Sequence, residues 1–225
     1  MRNTGGRHEI KHFINYFDFV QLRSRLPHVL KPDRNAVDGN AYRVRSLYFD
    51  NYNDKALREK IDGVDYREKF RLRLYNNDPS FIKLEKKSKK SGLCFKQSAV
   101  IPLEFCERLL DGEYDVLKQG GHPLALELYT KLNSQLLRPK NIVDYKREAY
   151  VFQAGNVRVT LDYDIRAGTD IKTFLKRDII TFPIHRKIVL EVKYDRFIPE
   201  IVRGVVALSN RQQTAFSKYA AARII

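Results

Sequence analysis

Two runs of alternating cations could bind a polyanion. They occupy residues 69–73 and, after a turn at residues 76–79, residues 83–89. Because successive side chains of a strand point to opposite faces, the pattern predicts a β-hairpin with one apolar and one cationic face. Like charges opposite each other across a strand pair repel, so this face predicts a bound anion, with a solvated basic face as the alternative. Its cations are Lys69, Arg71, Arg73, Lys83, Lys87 and Lys89.

The composition favours acidic partners. The 225 residues include 42 Lys and Arg against 27 Asp and Glu, a formal net charge of +15. Such a charge favours nucleic acid, phosphorylated metabolites, polyphosphate or an anionic membrane surface, without choosing among them. The length and the hydrophobic fraction of 43% predict one globular domain over residues 1–225.

Several functional classes lack their sequence signals. No segment approaches the roughly 20 apolar residues that span a bilayer, and residues 1–6 do not resemble a signal peptide. We therefore expect a cytoplasmic protein without direct membrane insertion. Cys94 and Cys106 show no metal or redox spacing, and neither do the five histidines. Both cysteines are expected to be reduced thiols.

The elements that must position the cations are mostly short strands. Strands are predicted over residues 7–14, 42–50, 64–75, 81–90, 93–101, 141–153, 157–165 and 187–194. Helices are predicted from a cap at Asp18 to Pro27, over residues 54–60, after Pro102, and over residues 123–136, 199–208 and 214–224. Seven or eight antiparallel strands with helices between or after them predict the α+β class.

Two geometries are open for the charged face. If the strands close into a barrel with apolar faces outward under the helices, the charged faces line a tunnel. A flat basic sheet would instead bind nucleic acid, with aromatic side chains on the binding face for base stacking. Phe70 and Tyr48 do not share a face with their neighbouring cations, so we expect phosphate recognition and no nucleic-acid partner. Tyr145 shares a face with Arg147, where a phenol suits a hydrogen bond to phosphate.

The order of short motifs along the chain resembles a known family. The motifs are RHEIK (7–11), SLYFD (46–50), KFRLR (69–73), LEKK (84–87), RVTLD (158–162), LEVK (190–193) and FSK (216–218). This set resembles the VTC domain, the polyphosphate polymerase branch of the triphosphate tunnel metalloenzymes, also called the CYTH-like fold. The resemblance implies an eight-stranded antiparallel β-barrel tunnel, with helices packed on the outside and a C-terminal helix at the tunnel.

The resemblance also implies an activity. The expected enzyme is a metal-dependent phosphotransferase that moves the terminal phosphoryl group of a nucleoside triphosphate such as ATP onto a polyphosphate chain. Relatives with the same tunnel hydrolyse triphosphates, cap RNA or cyclise ATP. The alternatives are therefore a tunnel triphosphatase or polyphosphatase, or a non-catalytic module that binds polyphosphate or inositol phosphate. A membrane-protein partner would have to be another chain, and the oligomeric state is open.

Individual residues take their expected roles from the same resemblance. The first strand of the superfamily usually reads Glu-x-Glu-x-Lys, and Arg7 replaces the first Glu, which favours an anion channel over a two-metal hydrolytic centre. A Mn²⁺ or Mg²⁺ ion would then depend chiefly on Glu191. Ala215 stands where eukaryotic members tend to carry a basic residue. The expected catalytic residues are Lys11, Arg71, Arg73, Lys87, Lys96, Arg147, Arg158 and Lys218, and the expected substrate-binding residues are Glu9, Tyr145, Lys193 and Ser217.

Other charged residues have a simpler interpretation. Glu9 and Glu85 are expected to pair with neighbouring cations, and Asp162 to orient arginines or to bind metal. Lys89 is predicted to be a solvated residue at the rim. Arg45 shares a face with apolar residues and is not assigned to the site.

Overall fold

A curled antiparallel sheet dominates the computed structural model, which describes residues 5–36 and 41–224. Its strands in chain order are β1 (His8–Ile14), β2 (Lys31–Pro32), β3 (Tyr42–Asp50), β4 (Arg67–Tyr75), β5 (Asp78–Lys90), β6 (Leu93–Ile101), β7 (Arg138–Phe152), β8 (Val157–Gly168), β9 (Phe182–His185) and β10 (Ile188–Tyr194). Eight of these follow one another across the sheet in the order β1-β10-β8-β7-β3-β4-β5-β6, while β2 pairs with β7 and β9 with β8. The predicted α+β class and eight-stranded antiparallel tunnel are confirmed.

The two ends of this strand order approach each other and meet at a β-bridge. Arg7, just before β1, forms an antiparallel bridge with Cys94 in β6 through two backbone hydrogen bonds of 3.0 Å. Gly6 permits this approach, because a Cβ atom there would lie 2.8 Å from the Cβ of Leu93. Among the described residues this bridge links the start of β1 to β6, so the barrel is closed at this level.

Tight turns set the register of the cationic hairpin. Asn76 and Asn77 have φ values of 52° and 57° and connect Tyr75 to its partner Asp78. Two successive residues with positive φ form the two-residue turn that suits the twist of a hairpin. Strand β5 therefore begins at Asp78, three residues before the predicted start at Phe81.

Most of the helices cover the outer, apolar face of the barrel, while the two that carry Lys60 and Lys218 border its interior. The helices are α1 (Tyr16–Arg25), α2 (Lys55–Ile61), α3 (Leu103–Leu110), α4 (Val116–Gln119), α5 (Pro123–Ser134), α6 (Glu200–Val206) and α7 (Lys218–Ala221). Phe70 and Leu84 on the sheet pack in one buried cluster with Leu109 of α3 and Leu128 of α5. A second cluster joins Leu22 of α1 to strands β8 and β10. Apolar faces outside leave the charged faces inside, as predicted.

The N-terminal cap of α1 differs from the prediction. Asn15, not Asp18, is the cap, and its side chain accepts a hydrogen bond of 2.9 Å from the Asp18 N–H. The Asp18 carboxylate accepts in return from the Asn15 N–H at 3.0 Å. Asp18 therefore occupies the third helical position of a reciprocal capping box.

The predicted helix over residues 214–224 is wrong for most of its length. Only Lys218–Ala221 is helical, and the residues before it run along β1. Gln213 forms a bridge with His12, and the Thr214 N–H donates to the Lys11 carbonyl at 2.8 Å. The Lys11 ammonium donates to the Phe216 carbonyl at 3.1 Å. The backbone groups of Thr214 and Phe216 are therefore bonded to β1 and do not form the hydrogen bonds of a helix.

Three short elements were not expected from the sequence. Strands β2 and β9 and helix α4 have two to four residues each, too short for a hydrophobic period to reveal them. Within residues 5–36 and 41–224, no helix combines the length and the apolar character needed to cross a membrane.

Candidate functional site

A cavity of about 440 Å³ lies inside the barrel. Strands β1, β3, β4, β5, β7 and β10 contribute to its wall, and the segment before α7 closes one side. Most of the predicted site residues are brought together here. Those that line the cavity are Glu9, Lys11, Arg71, Arg73, Lys87, Tyr145, Arg147, Glu191, Lys193, Ser217 and Lys218.

Glu85 holds the arginines of the β4 wall in place. Its fully buried carboxylate lies 2.7 Å from Arg71 Nη2 and 3.6 Å from Arg73 Nη1. Burial alone would raise the pKa of Glu85, but Arg73, Arg71 and Lys96 outweigh it and hold the pKa well below its usual value. The carboxylate is therefore ionised, and it fixes two guanidinium groups that keep further donors for a ligand.

A second buried carboxylate organises the opposite wall. Asp162 accepts two hydrogen bonds from Arg147, of 2.6 and 2.7 Å, and one of 2.6 Å from Lys218. Burial raises the pKa of Asp162, but Arg147 and Lys218 outweigh this effect and lower the pKa to about 2. Of the two expected roles for Asp162, the geometry matches the orientation of arginine.

Three lysines surround the carboxylates of Glu9 and Glu191. Lys11 lies 2.8 Å from Glu9 and 3.5 Å from Glu191, and Lys193 lies 2.6 Å from Glu191. Lys87 reaches across from β5 to Glu9 at 2.6 Å. Burial and Glu191 raise the pKa of Glu9, but the lysines outweigh them and lower it to about 2.

The acidic residues of the cavity fit one kind of metal site. Among residues 5–36 and 41–224, no three Asp, Glu, His or Cys side chains lie close enough to hold an ion by themselves. Glu9 and Glu191 lie close to each other, because Lys11 and Lys193 each contact both carboxylates. One or two carboxylates suit a Mg²⁺ or Mn²⁺ ion that completes its shell with substrate phosphates and water. The donor set fits such an ion and does not fit a protein cage.

Tyr48 is a cavity residue that the sequence interpretation placed away from the charge. Its side chain is 3% exposed, lines the cavity and accepts a hydrogen bond of 3.0 Å from Arg71. The prediction compared Tyr48 with Arg43 and Arg45, and both arginines lie on the other face of β3, where they pair with Asp144 at 3.2 and 2.9 Å. The alternation of β3, with Ser46 and Tyr48 on the face opposite Arg45, is the signal that identifies it.

Two groups in the cavity have pKa values near neutrality. Burial raises the pKa of Tyr48, but Arg71, Lys69 and Arg73 outweigh it and lower the pKa to about 7. Burial also lowers the pKa of Lys69 to about 7, with Lys87, Arg71 and Lys11 adding to the effect and Tyr48 opposing it. The Lys69 ammonium lies 5.5 Å from the centre of the Tyr48 ring.

Lys96 and Arg158 do not line the cavity. Lys96 is half exposed and reaches Glu85 at 2.5 Å from behind the arginines. Arg158 pairs with Asp33 at 2.8 Å and donates to the Tyr42 hydroxyl at 3.0 Å. Their expected catalytic roles require the ligand to extend beyond the cavity.

Arg7 also lies apart from the cavity, which corrects the expectation that it adds a cation to the channel. Its guanidinium pairs with Asp195 at 2.9 Å and donates to the Asn156 carbonyl. Glu9 and Lys11 are therefore the residues of the first motif that line the cavity.

A barrel whose inner face carries arginines, lysines and buried carboxylates, beneath an outer layer of helices, is a triphosphate tunnel fold. The chain belongs to the VTC domain family, whose family model matches residues 6–224. Comparison with curated proteins finds no match.

Comparison with solved structures finds similar chains. A putative adenylyl cyclase from Hippeastrum, described as having a dominant triphosphatase activity, matches with a TM-score of 0.58 at 14% identity over 98% of this chain and 96% of that one. A putative adenylate cyclase from Bacillus halodurans matches with a TM-score of 0.47 at 13% identity, over 84% of this chain and 82% of that one. The first likeness supports the fold.

Proposed function

We propose that this chain is a polyphosphate polymerase-like phosphotransferase that acts on a nucleoside triphosphate such as ATP. The observation that carries the proposal is the cavity wall, where Arg71, Arg73 and Arg147 are oriented by buried carboxylates toward one enclosed space. Membership of the VTC domain family supports polyphosphate as the product.

The proposed reaction needs position and charge rather than a protein nucleophile. A terminal oxygen of the acceptor phosphate attacks the γ-phosphorus of ATP, the bond from that phosphorus to the β,γ-bridging oxygen breaks, and ADP leaves. Arg71, Arg73 and Arg147 neutralise the charge that spreads over the transferring oxygens. Tyr145 and Ser217 line the same cavity and donate hydrogen bonds to phosphate in this proposal.

The metal has a defined place in the proposal. Glu191, with Glu9 beside it, would hold Mn²⁺ or Mg²⁺, and the bound ion would supply further neutralisation of phosphate charge. The lysines around these carboxylates keep them ionised and bring positive charge to the same phosphates.

A tunnel triphosphatase or polyphosphatase is the second candidate. The solved structure with triphosphatase activity favours it, because that protein shares the fold. In this reaction, water replaces phosphate as the acceptor and orthophosphate is released. The same cations would bind the substrate, so only the product distinguishes the two candidates.

Incubation with ATP and Mn²⁺, followed by sizing of the products on a gel, tests the proposal. A polymerase forms long polyphosphate together with ADP, whereas a hydrolase releases orthophosphate. A non-catalytic binding module forms neither product, but it still binds polyphosphate when a chelator removes the metal. We expect Arg71→Ala and Arg73→Ala each to reduce polymer formation at least about 100-fold, because each removes donors to the transferring phosphate. Lys31→Ala, on the exposed strand β2, is the control for loss of one positive charge. Unchanged product from both arginine variants would contradict the assigned wall.

A further inference from the structure

Four cations at one end of the cavity have no acidic partner. They are Lys60 of α2, Arg67 and Lys69 of β4, and Lys89 of β5, and we call them the mouth quartet. All four line the cavity and are half-buried. In the part of the chain that the structure describes, none lies within 4.0 Å of a carboxylate oxygen. Arg67 opens β4 and Lys89 lies one residue from the end of β5, so the quartet marks the end of the barrel.

The quartet is arranged so that its charges repel. Arg67 lies directly opposite Lys89 across the strand pair, and Lys69 directly opposite Lys87. Burial lowers the pKa of Lys60, and the nearby Arg67, Lys11 and Lys89 lower it further. Opposed like charges destabilise a sheet, and an anion bound between them would remove that cost.

The length of the cationic row exceeds a triphosphate. Arg67, Lys69, Arg71 and Arg73 follow one another on one face of β4. Arg73 is six positions after Arg67 along the strand, a distance of about 20 Å at about 3.4 Å per residue. Three linked phosphates bound at Arg71 and Arg73 would leave the mouth quartet without a ligand.

We propose that the mouth quartet is an extended phosphate subsite that binds the part of a linear polyphosphate chain lying beyond the phosphates in the cavity. The inference rests on the proposed function, because it assumes that phosphates occupy the cavity. The subsite makes the protein prefer chains longer than a triphosphate. A single-stranded nucleic acid offers a different polyanion, and it serves as the competing outcome in the test.

Equilibrium binding of two ligands separates the quartet from the cavity. Tripolyphosphate and a linear polyphosphate of about 15 phosphates are titrated, in chelator and without nucleotide, into the full chain. We expect Lys60→Ala with Lys89→Ala to weaken binding of the long chain about tenfold, or about 1.4 kcal/mol. Binding of tripolyphosphate should change less than about twofold, because the cavity cations are intact. The charge-matched control is Lys31→Ala with Lys176→Ala, two exposed lysines outside the cavity.

Three outcomes would overturn the inference. They are an equal loss for both phosphate ligands, no loss for the long chain, or the same tenfold loss in the control double variant. An oligonucleotide with about 15 phosphates that shows the tenfold loss and matches the affinity of polyphosphate would also overturn it, in favour of a nucleic-acid surface. If ATP and Mn²⁺ yield no polymer while tripolyphosphate still binds and the long chain still depends on the quartet, the proposed polymerase activity fails and the subsite stands.

Discussion

The inner cavity and its mouth carry the same kinds of cation and differ in what neutralises them. In the cavity, Arg71 pairs with Glu85, and Arg147 and Lys218 pair with Asp162. At the mouth, the described residues provide no carboxylate for Lys60, Arg67, Lys69 or Lys89. The carboxylates orient the paired cations before a ligand binds, whereas the charges of the unpaired cations are neutralised only when an anion binds.

Arg147 of the inner region and Lys69 of the mouth have pKa shifts in opposite directions. Burial would lower the pKa of Arg147, but Asp162 outweighs it and raises the pKa well above its ordinary value. For Lys69, burial and the surrounding cations lower the pKa instead. For these two cations the buried carboxylate beside Arg147 accounts for the opposite direction. A carboxylate does not reverse the shift everywhere, because burial lowers the pKa of Lys193 to about 8 although Glu191 lies 2.6 Å away.

The largest expected effect comes from removing a carboxylate of the inner region. Glu85→Gln leaves Arg71 and Arg73 buried without their counter-ion, so we expect the free energy of unfolding to fall by about 3–5 kcal/mol. Urea unfolding measures it, and saturating tripolyphosphate should recover part of the loss. Glu127→Gln, which removes a partner of Lys86 at the barrel exterior, should cost less than about 1 kcal/mol. Equal free energies of unfolding for the Glu85 variant and the wild type would contradict the claim that Glu85 neutralises the buried arginines.

Removing one lysine should change the free energy of unfolding by a smaller amount, with opposite signs in the two regions. Lys69→Met removes an unpaired cation, so we expect it to raise the free energy of unfolding by about 1–2 kcal/mol. Lys218→Met takes a partner from the buried Asp162 and should lower it by a similar amount. Urea unfolding of ligand-free protein at pH 7 measures both. A loss of stability in both variants would show that pairing does not separate the regions.

The smallest expected effect is a dependence of anion binding on pH. The pKa of Lys69 is lowered to about 7, so this side chain loses its positive charge as the pH rises from 6 to 8. Ionisation of Tyr48, whose pKa is also about 7, changes the cavity charge in the same direction. We expect the affinity of the wild type for a linear polyphosphate of about 15 phosphates, which reaches Lys69, to fall several-fold relative to Lys69→Met across this range. Parallel pH profiles for the two proteins would exclude Lys69 as the titrating group.

Much of the fold followed from periodicity. Alternation in residues 69–73 and 83–89 identified the hairpin and its two faces, because side chains of any strand alternate between faces with a period of two that can be recognised in the sequence. The segment before α7 could not be identified in the same way. Its partner is the backbone of Lys11, a contact between residues about 200 positions apart that local pattern does not encode.

The site was predictable where charge and strand face agreed. Arg71, Arg147 and Glu191 satisfied both and line the cavity. Arg158 lies on a barrel strand but beyond the cavity, where Asp33 from a loop pairs with it. The mouth quartet could not be predicted from the sequence, because only the folded chain shows that no carboxylate of the described residues lies near these four cations.

The most direct test of the account is a crystal structure of the protein with a linear polyphosphate bound. We predict phosphates within hydrogen-bond distance of Arg71 and Arg147 inside the barrel, with the pairs to Glu85 and Asp162 intact and the chain continuing to the mouth quartet. Polyphosphate bound only to the outer surface of the barrel, with no phosphate near these two arginines, would contradict it.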